Sequence, residues 1–427
     1  MRFISLTVGI AFACVGVAHA QDAEIVEAPG VQVGESYILH PTVGAETGVV
    51  SNLFYEDGSE VPITTTGVLR LIGQLDLGSR GNDDAKVAEE ASLDDEAAPA
   101  PEPTAPKLAF RAGLRLQYEE FLSGDEFARA QRNLGFAGNA HLVAFPEGTL
   151  AFLFDDDVTR NTRPTNFESL NSNNRIVNHL NLGLKFQPGG RAISGAFRYE
   201  NVIDFFEDSD LRYANRMQQT LGLRGEWQWL PITRFLADVS YGFYGALGSD
   251  GTKESSNPLR AQLGIASAIT EMTTLKAHVG WGYSPYSVGE SYNTPLFGAE
   301  FGYRYHPFGR FTLMYTYDAR DSVGANFYRD HVTEVRIAHQ IRQVVLDGNL
   351  GLRFRGYRSI EPELGAPERD DVVLDAGARA RWLYRDWMAF VAEYQVISDQ
   401  TDYMPAGQAL RAAFTRHDFT LGVRAAF

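Results

Sequence analysis

The stretch Asp418-Phe419-Thr420-Leu421-Gly422-Val423-Arg424-Ala425-Ala426-Phe427 decides the fold. Successive side chains of an extended chain point to opposite faces, so Phe419, Leu421, Val423, Ala425 and Phe427 share one face. Asp418, Thr420, Gly422, Arg424 and Ala426 share the other. The pattern recurs upstream from Lys107 in segments of about ten residues, the length of a tilted strand that crosses a bilayer. Leu275, Ala277, Val279, Trp281 and Tyr283 stand against Lys276, His278, Gly280 and Gly282. Phe311, Leu313, Tyr315 and Tyr317 stand against Thr312, Met314, Thr316 and Asp318, and Leu108, Phe110, Ala112, Leu114, Leu116 and Tyr118 against Arg111, Gly113, Arg115 and Gln117.

The connections alternate as well. Tight turns are expected at Pro146-Glu147-Gly148, Pro188-Gly189-Gly190, Leu230-Pro231-Ile232, Thr270-Glu271, Pro307-Phe308-Gly309, Arg342-Gln343 and Arg385-Asp386. Longer polar loops fall between them, near 119–131, 158–174, 205–213, 247–257, 285–293, 319–328, 357–370 and 398–410. Phe145, Phe186, Trp227, Trp229, Tyr305, Trp382 and Trp387 gather beside the short turns, and Tyr118, Tyr199, Phe243, Tyr283, Tyr317 and Tyr394 toward the long loops. These are two interfacial girdles. A mean hydropathy of −0.21 and 22% charged residues fit this layout, because only half of each strand would face lipid. The mature chain has no second run of eighteen apolar residues, so it must span as a closed sheet that pairs every backbone group. The fold class is therefore all-β, a transmembrane antiparallel β-barrel of about 18 strands. The count falls to about 16 if Tyr37–Val50 and Gly67–Leu77 lie outside it, and a lone exposed hairpin there would be marginally stable.

Met1-Arg2-Phe3, the apolar run Ile4 to Val17 and the small residues of Ala18-His19-Ala20 read as a secretory signal peptide over 1–20. Cys14, the single cysteine, lies inside that run, so the mature chain would have no thiol chemistry. Residues 21–36 then form a short periplasmic tail and 37–427 the barrel. Residues 81–106 interrupt it as an Ala-, Pro- and acid-rich linker expected to be disordered. Eight carboxylates against Lys86 alone place seven of the chain's sixteen excess negative charges there.

Phe419, Leu421, Val423 and Phe427 resemble the C-terminal assembly signal of bacterial outer-membrane barrels. The opening Ile38-Leu39-His40-Pro41-Thr42-Val43-Gly44, leading to Ser51-Asn52-Leu53-Phe54 and the strand series to Phe427, resembles the β-barrel porin family often encoded beside exopolysaccharide genes. The acidic stretch 81–106 is not part of that pattern. The resemblance implies a Gram-negative outer-membrane channel that passes hydrophilic solutes or exports exopolysaccharide. Its implied partners are outer-membrane lipids, the barrel-assembly machinery and polysaccharide export components.

Inside the barrel, lumen-facing charges of both signs are expected. They run from Arg111, Arg115, Arg198 and Arg224 to Arg424, interleaved with Glu200, Glu226, Asp238, Asp318, Glu393 and Asp418. They can neutralise one another or orient a hydrated solute. Arg353, Arg355, Arg379 and Arg381 are the candidate solute contacts, since guanidinium suits carboxylate and phosphate groups. The loop 157–174, with Arg160, Arg163, Phe167 and Glu168, is the candidate constriction. No Gly-x-Ser-x-Gly, His-Glu-x-x-His or calcium-loop spacing occurs, and His40, His141, His179, His278, His306, His331, His339 and His417 are scattered over different strands. The expectation is no enzyme, no cofactor and no metal, with an outer-membrane enzyme or a structural barrel as the alternative. A pI near 5.0 speaks against a nucleic-acid partner.

Overall fold

The computed structural model describes residues 30–34, 37–59, 62–79, 107–161, 174–189, 192–248, 254–322, 324–360, 368–404 and 411–427. The leader, most of the tail, the linker, and Arg163, Phe167 and Glu168 lie outside these residues. A three-residue strand, β1 (Val31–Val33), precedes the long strands β2 (Tyr37–Val50), β3 (Thr66–Ser79), β4 (Leu108–Leu122), β5 (Asn133–Ala144), β6 (Leu150–Asn161) and β7 (Arg175–Phe186). The series continues with β8 (Ile193–Phe206), β9 (Arg216–Leu230), β10 (Thr233–Ala246), β11 (Leu259–Thr270), β12 (Thr273–Ser284) and β13 (Tyr292–His306). It ends with β14 (Gly309–Asp321), β15 (Ala325–Ile341), β16 (Val344–Ile360), β17 (Arg369–Arg385), β18 (Met388–Thr401) and β19 (Phe414–Ala426). One short helix, α1 (Glu126–Ala130), sits between β4 and β5, capped by the Asp125 carboxylate, which accepts from the Phe127 amide.

Each strand from β2 to β19 pairs antiparallel with the next, and β19 pairs back onto β2 through Asp418↔Val50 to Ala426↔Thr42. The result is a closed barrel of eighteen strands. The N-terminal hairpin β2–β3 is thus part of the wall, and the sixteen-strand alternative falls. β1 lies beyond the end of β19, pairing Val31↔Leu39 to Val33↔Tyr37 on the β2 edge that β19 no longer covers. At the seam, a Cβ on Gly48 would stand 1.9 Å from the Phe419 carbonyl oxygen, so only glycine lets β2 and β19 approach there.

The outer surface follows the alternation read in the sequence. Val279, Trp281 and Tyr283 of β12 are exposed, as are Phe419, Leu421, Val423 and Phe427, while Arg416, Asp418 and Arg424 of β19 are buried on the inner side. Apolar side chains cover the exterior between rings of Trp, Tyr and Phe, the surface of a bilayer-spanning barrel. The connections at one rim are two to five residues long among those described throughout, and the opposite rim carries the longer ones.

Two expected loops are shorter than the sequence suggests. Residues 319–328 form only a three-residue connection, 322–324, because the β14–β15 ladder continues to Asp321↔Phe327. β6 likewise continues to Asn161, paired with Arg175, since Val158 and Thr159 extend the strand readily.

Candidate functional site

An eighteen-stranded barrel encloses more space than its own inward side chains fill, so the candidate site is sought in what lies against the inner wall. The first part of the β2–β3 connection, residues 51–57, folds onto the inner wall, with Asn52, Leu53 and Tyr55 buried. Asn52, in the left-handed region at φ 52° and fully buried, fastens its base. The Asn52 amide donates to the Glu56 carbonyl at 2.6 Å and the Thr415 carbonyl at 3.0 Å, and its oxygen accepts from the Glu56 amide at 2.8 Å. Leu53 joins a buried cluster with Val50, Val68, Phe121 and Ala128, with Phe54 against it. Tyr55 crosses to the other side of the seam and packs on Val373 and Phe414, with Ile397 beside them. Its ring meets Phe414 edge-on at 5.0 Å, the Arg416 guanidinium lies 4.8 Å from its centroid, and Arg416 donates to the Leu53 carbonyl at 3.2 Å. In the loop's turn, Asp57 accepts from the Ser59 amide and hydroxyl, which hold its carboxyl below the usual range.

Beneath this loop the wall carries ion pairs. Arg70 on β3 reaches Glu119 on β4 at 2.7 Å and, across β2, Asp418 on β19 at 2.6 Å. Arg424 donates to Glu46 at 2.5 Å. On the neighbouring arc, Arg369 contacts Asp371 at 2.7 Å and Asp399 at 3.3 Å. Sequence reading assigned Asp418 and Arg424 to the lumen but missed Glu46, Arg70, Glu119 and the inward loop.

A second set of contacts gathers at the long-loop ends of β10–β15. Ser256 bridges Tyr244 and Tyr286, and its hydroxyl donates to Asp321 at 2.6 Å. Tyr286 also donates to Asp321, and burial, followed by that carboxylate's charge, pushes its phenol far above the usual range, so it stays a donor. Tyr244 donates to the Ser322 carbonyl at 3.1 Å, and Asn326 to the Val288 carbonyl at 2.7 Å.

Arg353, Arg355, Arg379 and Arg381 all face the lumen from the neighbouring strands β16 and β17, but as two pairs at different heights. Arg379 is in register with Asp347, whereas Arg353 is in register with Val373, six positions farther along β16. Arg355 forks onto Asp330 with two contacts of 2.7 Å and lies 3.9 Å from the Tyr328 centroid. Arg353 stands 3.7 Å from the same carboxylate. Arg379 meets Glu393 at 3.3 Å, and Arg381 meets Asp347 at 3.1 Å. Elsewhere Arg198 and Arg224 share Asp238, Arg260 pairs with Asp318, and Lys276 with Glu300 at 2.8 Å. Mutual neutralisation thus describes most of these charges.

Arg160 departs from its expected place. It belongs to β6, in register with Phe136 on the outer wall, and forks onto Glu207 at 2.5 and 2.8 Å near the long-loop rim. This contact holds the Glu207 carboxyl below its ordinary range. Arg160 therefore does not enter the lumen. The connection that packs against inward-facing wall residues is instead the first long one, through Leu53 and Tyr55.

No family model matches the chain, and no curated protein matches it. Among solved structures it is similar to OccK2 (OpdF) of Pseudomonas aeruginosa, at 10% identity and a TM-score of 0.46, over 91% of this chain and 98% of that one. It is also similar to the outer membrane protein OpdK of the same organism, at 8% identity and 0.47, over 91% and 99%. The siderophore receptor PirA, again from Pseudomonas aeruginosa, follows at 8% identity and 0.39, over 91% and 80%.

Proposed function

We propose that the protein is a channel of the Gram-negative outer membrane that passes small hydrophilic solutes. The observation that carries this reading is the segment 51–57, fixed by Asn52 and Tyr55 to the inner wall of an eighteen-stranded barrel. A barrel of that size leaves a water-filled interior, and a loop packed against its wall narrows the path without the wall itself collapsing. The interior surface left beside the loop is polar and carries both charge signs, which suits a hydrated solute. A polysaccharide conduit, the other transport reading, needs width along the whole path, and the inward loop counts against it.

The reading includes export by the leader 1–20 and insertion by the barrel-assembly machinery through the segment ending at Phe427. It gives Arg353, Arg355, Arg379 and Arg381 a local electrostatic role, each tempered by its carboxylate partner. The test is conductance in planar bilayers, comparing the wild type with a variant in which residues 53–59 are replaced by Gly-Ser-Gly. Single-channel conductance should rise in the folded variant. Equal conductance would show that the loop does not limit the path, and no conductance in either protein would refute a diffusion channel. A deletion strain should lose small-solute uptake while its secreted polysaccharide is unchanged.

A further inference from the structure

The lumen carboxylates face two kinds of partner. Those of Glu46, Glu119, Asp330 and Glu393 meet guanidinium groups, and Glu300 meets Lys276. Asp76, Asp155 and Asp157 face histidines instead. Each stands directly opposite an imidazole on a neighbouring strand, His40↔Asp76 between β2 and β3, His141↔Asp155 between β5 and β6, and Asp157↔His179 between β6 and β7. Directly opposed side chains have β-carbons about 5 Å apart, close enough for their ends to interact. His141 Nδ1 is hydrogen-bonded to the Asp155 carboxylate, with 46% and 31% of the two side chains open to the lumen. None of the three carboxylates touches Lys or Arg among the described residues.

The pairs belong to one row. Register runs His40↔Asp76, Asp76↔Gly113, Gly113↔Asn139, Asn139↔Asp157 and Asp157↔His179, across six consecutive strands of the inner wall. His141 and Asp155 lie one inward position nearer the short-turn rim. At Gly113 a Cβ would stand 2.7 Å from Asp76 Oδ1 and 2.6 Å from Asn139 Oδ1, so glycine lets these two side chains lean together across β4. The other charges that face the row are Arg111, opposite His141, Arg115, which donates to Gln117 at 3.0 Å, and Lys185, opposite Ala151. Arg198 and Glu200 of β8 meet each other at 3.3 Å, Arg70 is held by Glu119 and Asp418, and Glu46 by Arg424.

Arg and Lys keep their charge between pH 5 and 8, whereas an imidazole changes its charge there. A neutral imidazole leaves the opposed carboxylate open to the lumen. An imidazolium closes it as an ion pair. We propose that this row of His–Asp pairs sets the ion preference of the channel and makes it respond to pH. In neutral solution its carboxylates attract cations, including the ammonium or guanidinium group of a solute, and in acid they are closed. The inference rests on the channel reading and adds to it the charge class that the lumen favours.

The test is the reversal potential of the full-length protein in planar bilayers under a potassium chloride gradient, at about pH 8 and about pH 5. Preference for potassium over chloride should fall on acidification of the wild type, because each protonation adds a positive charge to the row. His141→Gln/His179→Gln should lose most of this shift. Asp155→Asn/Asp157→Asn should give a potential displaced toward chloride already at the higher pH. His278→Gln, at an inward position opposed only by Gly264 and Gly298, should keep the shift. Gln and Asn are close in size to the side chains they replace, heat-modifiability reports folding, and either double variant suffices for the comparison. A conducting wild type whose reversal potential ignores pH would overturn this inference and leave the channel reading standing. So would a full shift in the histidine double variant or an unchanged potential in the aspartate one. No conductance at either pH would overturn both.

Discussion

Val279 and His278 are neighbours on β12 with opposite surroundings, and the difference fixes what each position tolerates. Val279 is 63% exposed on the outer wall between Leu263 and Phe297, whereas His278 points inward beside Gly298. An arginine at 279 would stand in hydrocarbon, so Val279→Arg should cost about 2–4 kcal/mol, and His278→Arg much less. Urea midpoints of the refolded proteins check this, and equal losses would mean that the register is wrong. Arg424 and Glu46 supply a second residue-scale case. Both are buried, and Arg424→Met would leave Glu46 without its guanidinium, a loss of roughly 3–5 kcal/mol. Adding Glu46→Gln should recover a large part of it, and failure to do so would show that Arg424 acts through its stem alone.

The element that the sequence least announces is the inward loop, yet its footprint was visible there. Period two fails in Val68-Leu69-Arg70-Leu71-Ile72 of β3 and in Val372-Val373-Leu374 of β17, where both faces read apolar. An inner face of a wide barrel stays apolar only where something dry lies against it, and Val68 and Val373 are the residues that Leu53 and Tyr55 cover. Strand existence, face and count were legible because each obeys alternation locally. The loop's direction was not, since it depends on Asn52 meeting the Thr415 carbonyl 363 residues away. The split of the four arginines into two pairs was hidden for the same reason, because register between β16 and β17 is set across a connection whose length alone does not determine it. Asn52→Ala removes the side-chain staples and places a β-carbon residue without local hydrogen bonds at positive φ. It should give noisier and larger single-channel currents than Asn52→Gly, which keeps the backbone freedom. Identical current traces for all three proteins would show that the loop is held elsewhere.

At the scale of the whole molecule, closure depends on β19, which pairs with β18 on one side and β2 on the other, and ends where the Phe427 amide donates to the Pro41 carbonyl at 3.0 Å. Removing Phe427, or replacing it with Asp, should reduce the heat-modifiable protein recovered in outer-membrane fractions. Normal recovery would dissociate the terminal ring from assembly. The same closure gives the interior a lopsided plan. All four clusters of buried apolar residues draw their wall residues from β2–β4 and β13–β19, and β5–β12 contribute none among the described residues. Packed apolar clusters therefore line the inner side of β2–β4 and β13–β19, and the inward face of β5–β12 is the more polar bank. On the proposed channel reading, a solute would meet Asp155, Arg198, Asp238 and Lys276 on one bank and a dry, packed buttress on the other.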